Sequence, residues 1–295
     1  MIQSRKKPVP SEHYTKSFYE EIRNGSRRSA EVIAPLVLEL LPVRSVVDVG
    51  CGDASWLAVF RKLGIEDILG IDGDYVEPEL LQVPRECFQA VDLTKRFALG
   101  RVFDLAISLE VAEHLPVDCA SAFVESLTRL APAVLFSAAI PLQGGNHHIN
   151  EQWPDKWAAL FREQNYLTVD CIRKRVWQND AVEWWYAQNT LLFANAAFLA
   201  ASPALKAEFE RTSLDQLRLV HPRNYLEAFV PLEPPPWGVR AASALLATCL
   251  KSAARRKLYS ILGKKIPVGA PQNPPNYNSA LQHPARYALP KRGNL

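Results

Sequence analysis

A short apolar run that ends in two closely spaced glycines constrains this chain more than any other stretch. Ser45–Val49 is rich in β-branched residues and is followed at once by Gly50-Cys51-Gly52. This pattern predicts a buried strand, a tight turn and then a helix. Asp72 ends a second apolar run twenty residues after Gly52, and a carboxylate at this distance reaches ribose hydroxyls in parallel α/β folds. The spacing therefore predicts a nucleotide-type ligand at the turn.

The acidic residues around the turn decide between two kinds of nucleotide. A dinucleotide would place its pyrophosphate on backbone N–H groups at the start of the helix. Here Asp48 and Asp53 flank the turn, and Ser55 replaces the third glycine of the dinucleotide pattern. Two carboxylates repel a pyrophosphate and attract a ligand with sulfonium and ammonium groups. The turn therefore favours S-adenosylmethionine over NAD.

Two motifs resemble those of class I S-adenosylmethionine-dependent methyltransferases. Asp48-Val49-Gly50-Cys51-Gly52 resembles the first motif of this superfamily, with Ala54 at its usual third glycine. Asp104–Leu115 resembles the motif of the fourth strand, and the resemblance as a whole covers roughly Ser45–Ala194. It implies S-adenosylmethionine as cofactor and places Asp92, after the third strand, against the adenine amino group.

Apolar runs alternate with helical patterns through the middle of the chain. Strands are predicted at Ser45–Val49, Ile68–Asp72, Cys87–Val91, Phe103–Leu109, Ala133–Ala139, Leu167–Ile172 and Thr190–Ala194. The alternation predicts parallel βαβ units, and with the last two strands a Rossmann-like, doubly wound, mostly parallel seven-stranded sheet. Ligands bind such sheets beyond the carboxyl ends of the strands. The expected cofactor contacts are therefore Asp48, Gly50, Cys51, Gly52, Asp53, Asp72, Gly73, Asp92, Leu93 and Glu110.

The sheet is expected to carry additions at both ends. The predicted segments are a helical cover at 1–44, the cofactor-binding domain at 45–200, a helical extension at 201–266 and a flexible basic tail at 267–295. A helical pattern runs from Ser11 to Leu41, and Asn24-Gly25-Ser26 predicts a break into two helices. This cover either packs on the sheet or forms a lid over the methionine end of the cofactor, touched by Tyr14 or Ser26.

The polar loop after the fifth strand is the expected site of chemistry. Methyl transfer to oxygen requires alignment of the nucleophile and removal of its proton, and histidine suits the role of base. The predicted catalytic residues are His148 first and His147 second, with Glu151 and His114. A divalent metal on His147, His148 and Glu151 is the alternative. No further carboxylate is evident beside them, so no metal site is predicted.

The aromatic stretch Val182–Asn189 is either a hydrophobic cover or a surface that stacks on sugars. Together with the loop Gly145–Pro154, it resembles a group of bacterial methyltransferases associated with sugar and surface-glycan synthesis. The expected substrate contacts are Asn150, Trp153, Trp185, Tyr186 and Gln188. The predicted activity is O-methylation of a sugar or glycan hydroxyl. The alternatives are a small-molecule carboxyl- or N-methyltransferase and a non-catalytic, cofactor-binding regulatory protein.

The charge distribution bears on partners. No acidic residue follows Glu233, whereas ten Lys and Arg residues do, so the preceding part is acidic. The amphipathic, basic pattern at Val239–Leu262 predicts either a packing helix or contact with an anionic membrane surface. A nucleic-acid partner is not expected, because Glu110-Val111-Ala112-Glu113 stands where amino-directed nucleic-acid methyltransferases carry Asn-Pro-Pro-Tyr. The oligomeric state is left open.

Composition and the ends of the chain set the expected location. Hydrophobic residues make up 48% and charged residues 22% of the 295 residues, as in ordinary globular proteins. The five cysteines lack Cys-x-x-Cys spacing, so neither a zinc site nor a disulfide framework is indicated. Neither a secretory signal nor an apolar run of about 18 residues is evident. We expect a cytoplasmic protein, with a peripheral position at the inner membrane surface as the alternative.

Overall fold

A computed structural model describes residues 16–229, and the side chains of residues 24–226. Seven strands form one sheet in the order β3-β2-β1-β4-β5-β7-β6. Strands β1 to β5 pair in parallel, whereas β7 runs antiparallel to both β5 and β6. The strands are β1 Ser45–Val49, β2 Asp67–Asp72, β3 Phe88–Ala90, β4 Leu105–Leu109, β5 Ala133–Ser137, β6 Tyr166–Val169 and β7 Leu191–Asn195. This confirms the predicted doubly wound, mostly parallel sheet.

Helices cover both faces of the sheet, because residues alternate between faces along each strand. Val46 and Ile107 pack in one apolar core with α1 and α2, while Val47 and Ala106 pack in a second core with α3 and α4. The α-helices are α1 Lys16–Leu40, α2 Ser55–Lys62, α3 Ala120–Leu130, α4 Pro154–Glu163, α5 Arg173–Val176, α6 Trp184–Asn189, α7 Ala196–Ala201, α8 Pro203–Glu210 and α9 Pro222–Phe229.

The predicted break in the N-terminal helix is wrong. Helix α1 continues through Asn24-Gly25-Ser26. Gly25 allows the side chain of Glu183 to pack closely against this helix. A Cβ on Gly25 would lie 2.6 Å from Oε1 of Glu183. The hydroxyl of Ser29 accepts a hydrogen bond from the backbone N–H of Glu183 at 3.0 Å and donates one to the carbonyl of Gly25 at 2.8 Å. Gly25 therefore lets α1 approach the start of α6, a tertiary requirement that the local sequence does not show.

A buried ion pair stops the sixth strand earlier than predicted and fastens the segment that precedes α9. Arg173 is 1% exposed and binds both carboxylate oxygens of Asp170, at 3.0 and 2.7 Å. Its guanidinium also donates to the carbonyls of Leu217 at 2.8 Å and Gln216 at 3.2 Å. These bonds draw residues 216–217 against the end of β6, so the chain turns away from the sheet after Val169.

The described part of the chain contains no helix that is both long and apolar enough to span a bilayer. Helices α7 and α8 contact β7 and β6, and α9 contacts α6. The predicted amphipathic helix at Val239–Leu262, the basic tail at 267–295 and Tyr14 lie outside the described residues. The proposed segment boundaries stay predictions.

Replacing Arg173 tests the buried pair. Arg173→Met leaves Asp170 as a buried charge without its partner, which costs about 3–5 kcal/mol of unfolding free energy. The matched control is Arg218→Met, since Arg218 makes the same two-pronged contact with Asp155, at 2.8 and 2.7 Å, but the two side chains are 60% and 41% exposed. We expect the unfolding free energy of the control variant to fall by less than about 1 kcal/mol. Urea unfolding measures both, and equal losses would contradict this account.

Candidate active site

The backbone amides of the glycine turn are already used within the fold. The N–H groups of Gly50 and Cys51 both donate to the carbonyl of Ile71 in β2, at 2.8 and 3.2 Å. The N–H of Gly52 donates to the carboxylate of Asp72 at 2.8 Å. Gly50 and Gly52 have φ angles of +83° and +53°, which glycine adopts at little cost. These three amides are therefore not available to a pyrophosphate, in agreement with the predicted choice of ligand.

Asp72 stands at the carboxyl end of β2 and faces the turn. Besides Gly52, its carboxylate accepts hydrogen bonds from the backbone N–H of Gly73 at 2.7 Å and from the hydroxyl of Tyr75. Burial raises the pKa of this carboxyl, and the three hydrogen bonds oppose that shift. The ring of Tyr75 lies directly over Gly73, where a Cβ would come within 2.2 Å of it. Asp72 thus holds the turn in place with its side chain fixed.

Asp48 is a buried carboxylate without a hydrogen-bond donor among the described residues. It lies within β1 and is 4% exposed. Burial, and then the charges of Asp72 and Asp53, raises the pKa of its carboxyl well above the ordinary value. A buried carboxylate is costly unless a partner compensates it. A cationic ligand is such a partner.

The other predicted cofactor residues take structural positions around this acidic group. Asp53 accepts hydrogen bonds from the backbone N–H and the hydroxyl of Ser55, the first residue of α2. Ala54 adopts a left-handed conformation with φ of 62°, the geometry for which the family motif uses glycine. The thiol of Cys51 packs on Gly70 of β2.

Asp92 lies past the end of β3, at the surface. Its carboxylate pairs with Lys95 at 2.8 Å and accepts hydrogen bonds from Thr94. The ammonium of Lys95, and then Thr94, lowers the pKa of Asp92 to about 2. Leu93 is buried in the core beside it. The adenine contact predicted for Asp92 stays a prediction.

Glu110 directly follows β4, has a strained backbone conformation and is bound by side-chain amides. Its φ is +57°, a value rarely taken by a residue with a side chain. Its carboxylate accepts hydrogen bonds from the side-chain amides of Asn189 and Gln143, at 3.1 Å each. Gln188, which is fully buried, donates to the side-chain oxygen of Gln143 at 3.0 Å. Burial raises the pKa of Glu110.

Helix α6 is mostly buried, which agrees with the hydrophobic cover, one of the two alternatives considered for Val182–Asn189. Tyr186 is 5% exposed, its hydroxyl lies 3.0 Å from that of Ser26 in α1, and its ring packs edge-on against Trp56. Burial raises the pKa of Tyr186 to about 12. Gln188 accepts hydrogen bonds from the backbone of His221 and the side chain of Asn224. Three sugar contacts were predicted in this helix. Trp185 is half-buried, whereas Tyr186 and Gln188 are buried.

The loop after β5 is organised by Glu151. Its carboxylate accepts hydrogen bonds from the backbone N–H groups of Leu142 at 2.8 Å and Gly144 at 2.9 Å, and lies 3.1 Å from Nδ1 of His148. The loop passes so close to His148 that a Cβ on Gly145 would lie 2.3 Å from its Nε2. Glu151 and His148, which were predicted together, are therefore in direct contact.

His148 meets His114 and Glu113, which follow β4. The rings of His114 and His148 contact edge to face, with centroids 4.9 Å apart. Burial, and then the charge of His148, lowers the pKa of His114 to about 4. Glu113 is 0% exposed, and neither of its oxygens has a hydrogen-bond partner among the described residues. Burial, and then the charge of Glu110, raises its pKa well above the ordinary range.

Three predicted residues lie at the edge of this group. Asn150 is buried and donates to the carbonyl of Ala112 at 3.2 Å, so it fixes the loop to the segment after β4. Trp153 lies at the start of α4 beneath the guanidinium of Arg218. His147 is exposed. Their predicted roles in catalysis or substrate binding stay predictions.

The sequence analysis missed Glu113, Gln143 and Asn189 as site residues. Glu113 stands three residues after Glu110 within the motif that follows β4. A second carboxylate at this spacing was the signal that could have found it. Gln143 and Asn189 carried no comparable local signal, because their importance comes from their contacts with Glu110.

The sheet order, the antiparallel β7 and the acidic crevice at the carboxyl ends of β1, β2 and β4 define a class I methyltransferase fold. A family model described as a methyltransferase domain matches residues 19–192, more than half of the chain. The chain therefore belongs to this methyltransferase family. S-adenosylmethionine is its cofactor.

Solved structures that are similar include several methyltransferases. The magnesium protoporphyrin IX methyltransferase of Synechocystis PCC 6803 shares 20% identity over 63% of this chain and 90% of its own, with a TM-score of 0.43. DesVI of Streptomyces venezuelae shares 21% identity over 44% of this chain and only 59% of its own, with a TM-score of 0.36. A sugar N-methyltransferase from a Streptoalloteichus species shares 20% identity over 48% and 60%, with a TM-score of 0.38. None of the curated proteins compared with the chain matches it.

The residues present fit S-adenosylmethionine. A Cβ on Gly52 would meet no atom within 4 Å, so open space lies beside the turn. Asp48 supplies an uncompensated buried carboxylate there, and Asp72 supplies a carboxylate at the position from which ribose is bound. Asp48 and Asp72 are therefore the residues that would hold the cofactor's charged and hydroxyl groups.

Neutralising Asp48 should stabilise the protein and weaken cofactor binding. A raised carboxyl pKa contributes stability that is complete below the ordinary value of 3.8 and is lost as the pH rises through the raised pKa. Asp48→Asn removes this loss. At pH 8 the unfolding free energy of the variant should therefore exceed that of the original chain by at least about 1 kcal/mol, or roughly 2–4 °C in melting temperature. The gain should vanish as the pH falls toward 4.

Affinity for S-adenosylmethionine should fall at least about tenfold in Asp48→Asn, equivalent to about 1.4 kcal/mol. Thermal scans from pH 4 to 8 and calorimetric titration measure the two effects. Asp118→Asn, at an exposed acidic residue, should change neither quantity. A less stable Asp48→Asn at pH 8 would show that a partner in the protein compensates the charge.

Proposed function

We propose that this methyltransferase acts on a hydroxyl oxygen of a sugar or glycan. The observation that supports it is the contact of His148 with both Glu151 and His114 at the end of the sheet that carries the cofactor turn. Imidazole and carboxylate groups suit a hydroxyl acceptor, since its proton must leave as the new carbon–oxygen bond forms. The cofactor supplies an electrophilic methyl group, which leaves its sulfur as that bond is made.

Residues on one side of the crevice bind the cofactor, and residues on the other side align the acceptor. Asp48 and Asp72 bind the cofactor on the side of β1 and β2. On the other side, Glu151 fixes the loop that carries His148. Alignment of acceptor and methyl group contributes strongly to such transfers. We infer that the Glu151 loop provides this alignment.

The charge of the C-terminal region adds support for an anionic or lipid-linked glycan. Ten Lys and Arg residues and no acidic residue follow Glu233. Such a segment attracts anionic acceptors or surfaces.

Transfer of a labelled methyl group tests the function. The purified full chain is incubated with labelled S-adenosylmethionine and, in separate reactions, sugar nucleotides, glycan extracts, amino sugars, small carboxylic acids, protein and RNA. We expect label in a sugar or glycan, in a linkage stable to mild base, which excludes a carboxyl ester. Label only in amino groups, carboxylates, protein or RNA would contradict the proposal, as would cofactor binding without any transfer.

His148→Ala should lower turnover at least about 100-fold, in the range attributed to general acid–base groups. Cofactor affinity should stay within about twofold, because Asp48 and Asp72 bind the cofactor elsewhere. Asn146→Ala, at an exposed residue of the same loop, serves as the control and should retain turnover. Unchanged turnover in His148→Ala would remove this residue from the chemistry.

A further inference from the structure

We propose that Glu113, His114 and His148 form a site for a divalent first-row metal ion that binds the acceptor hydroxyl. One ligand atom from each of the three residues lies within 4.8 Å of the other two. Neighbouring ligand atoms around such an ion are about 3.0–3.6 Å apart, given bond lengths near 2.1 Å. Side-chain rotations that shorten the separations by up to about 1–2 Å would therefore bring all three onto one ion.

Three buried atoms of the side chains that face this point have no close hydrogen-bond partner among the described residues. Glu113 is fully buried, and both of its oxygens are without a hydrogen-bond partner among the described residues. Nδ1 of His114 is likewise buried and has none. Buried polar groups are nearly always hydrogen-bonded. Unpartnered atoms of two adjacent ligand-type residues point to a bound cation, which would compensate all of them at once.

Glu151 provides the supporting contact that metal-binding histidines usually have. Its carboxylate lies 3.1 Å from Nδ1 of His148, which leaves the second ring nitrogen for a metal. A carboxylate behind a metal-bound histidine fixes the orientation of the ring and raises its basicity as a ligand. The three bonds that Glu151 accepts also keep His148 at its place in the loop.

The two chain segments that supply the ligands are fastened together. The backbone N–H groups of Ile149 and Asn150 both donate to the carbonyl of Glu113, at 2.9 and 3.0 Å. The side chain of Asn150 donates to the carbonyl of Ala112 at 3.2 Å. The loop that carries His148 is thereby held against the short helical turn Ala112–His114. The ligand set is preorganised and does not depend on the flexible approach of a loop.

The geometry selects a ligand set that differs from the one considered in the sequence. His147 is exposed and does not belong to it, and Glu151 stands behind His148. Glu110 is engaged by Asn189 and Gln143. Two imidazoles and one carboxylate suit Mn²⁺, Fe²⁺ or Zn²⁺, and three protein ligands leave positions open for substrate oxygens.

This inference rests on the proposed function and gives His148 a different role from that of a base. The ion binds the acceptor oxygen and makes its O–H more acidic. The hydroxyl proton passes to water, the acceptor oxygen bonds to the methyl carbon, and the carbon–sulfur bond of the cofactor breaks. An ion with five or six ligands would keep at least two positions open, which favours an acceptor with adjacent hydroxyls such as a sugar.

Metal binding is measured on the full chain independently of turnover. Protein stripped with a chelator is titrated with Mn²⁺ and, separately, Zn²⁺ by calorimetry. We expect one ion per chain. Glu113→Gln, which keeps the size of the side chain, and His148→Ala should each lower the affinity at least about tenfold. His147→Ala is the matched control at the neighbouring histidine and should bind as the original chain does.

Absence of binding, or equal binding by Glu113→Gln and His147→Ala, would overturn the metal site. Turnover then separates the two proposals. Full transfer to a sugar hydroxyl by the stripped protein would refute the metal role and leave the proposed function intact. One bound ion per chain without transfer to any sugar or glycan would refute the proposed function and leave the site. Transfer that is lost on stripping and restored by Mn²⁺ or Zn²⁺ supports both.

Discussion

The carboxylate of Asp72 joins the carboxyl ends of β1 and β2, because it accepts hydrogen bonds from the backbone of Gly52 after β1 and of Gly73 after β2. The carbonyl of Ile71 completes this connection by accepting from the two preceding amides of the turn, those of Gly50 and Cys51. The turn keeps its shape through these bonds and has few amides left for an anion. What the crevice presents instead is the buried carboxylate of Asp48. The preference for a cationic cofactor follows from this arrangement.

Uncompensated carboxylates also mark the acceptor side. Asp48 lies in β1 and Glu113 follows β4, and these two strands are neighbours in the sheet. Both side chains are buried. The oxygens of Glu113 have no hydrogen-bond partner among the residues that the structure describes, and burial together with the charges of Asp72 and Asp53 raises the pKa of Asp48. Such groups lower stability and are retained where function requires them. A cationic cofactor beside Asp48 and a metal ion beside Glu113 would compensate each charge separately.

Strand positions could be predicted to within a few residues because apolar β-branched runs are local features. The predicted ends of strands and helices were less accurate where hydrogen bonds or packing between distant segments decide them. The sixth strand ends at Val169 since Asp170 turns to Arg173, and the break predicted at Gly25 is absent because the glycine accommodates Glu183. Helix α6 illustrates the same limit: a dense aromatic stretch does not reveal whether it is exposed or buried, and here Tyr186 lies in the core.

The sequence by itself determined the α/β sheet, the acidic glycine turn and the identity of the methyl donor, because these depend on periodicity and on residues close together in the chain. It also indicated the loop with His148 and Glu151, which are near neighbours in sequence. Only the tertiary structure decided that His148 meets His114 and Glu113, and that Glu110 is bound by amides while Glu113 is not. These contacts join segments that follow different strands, and the spacing of residues within one segment carries no information about its distance from another.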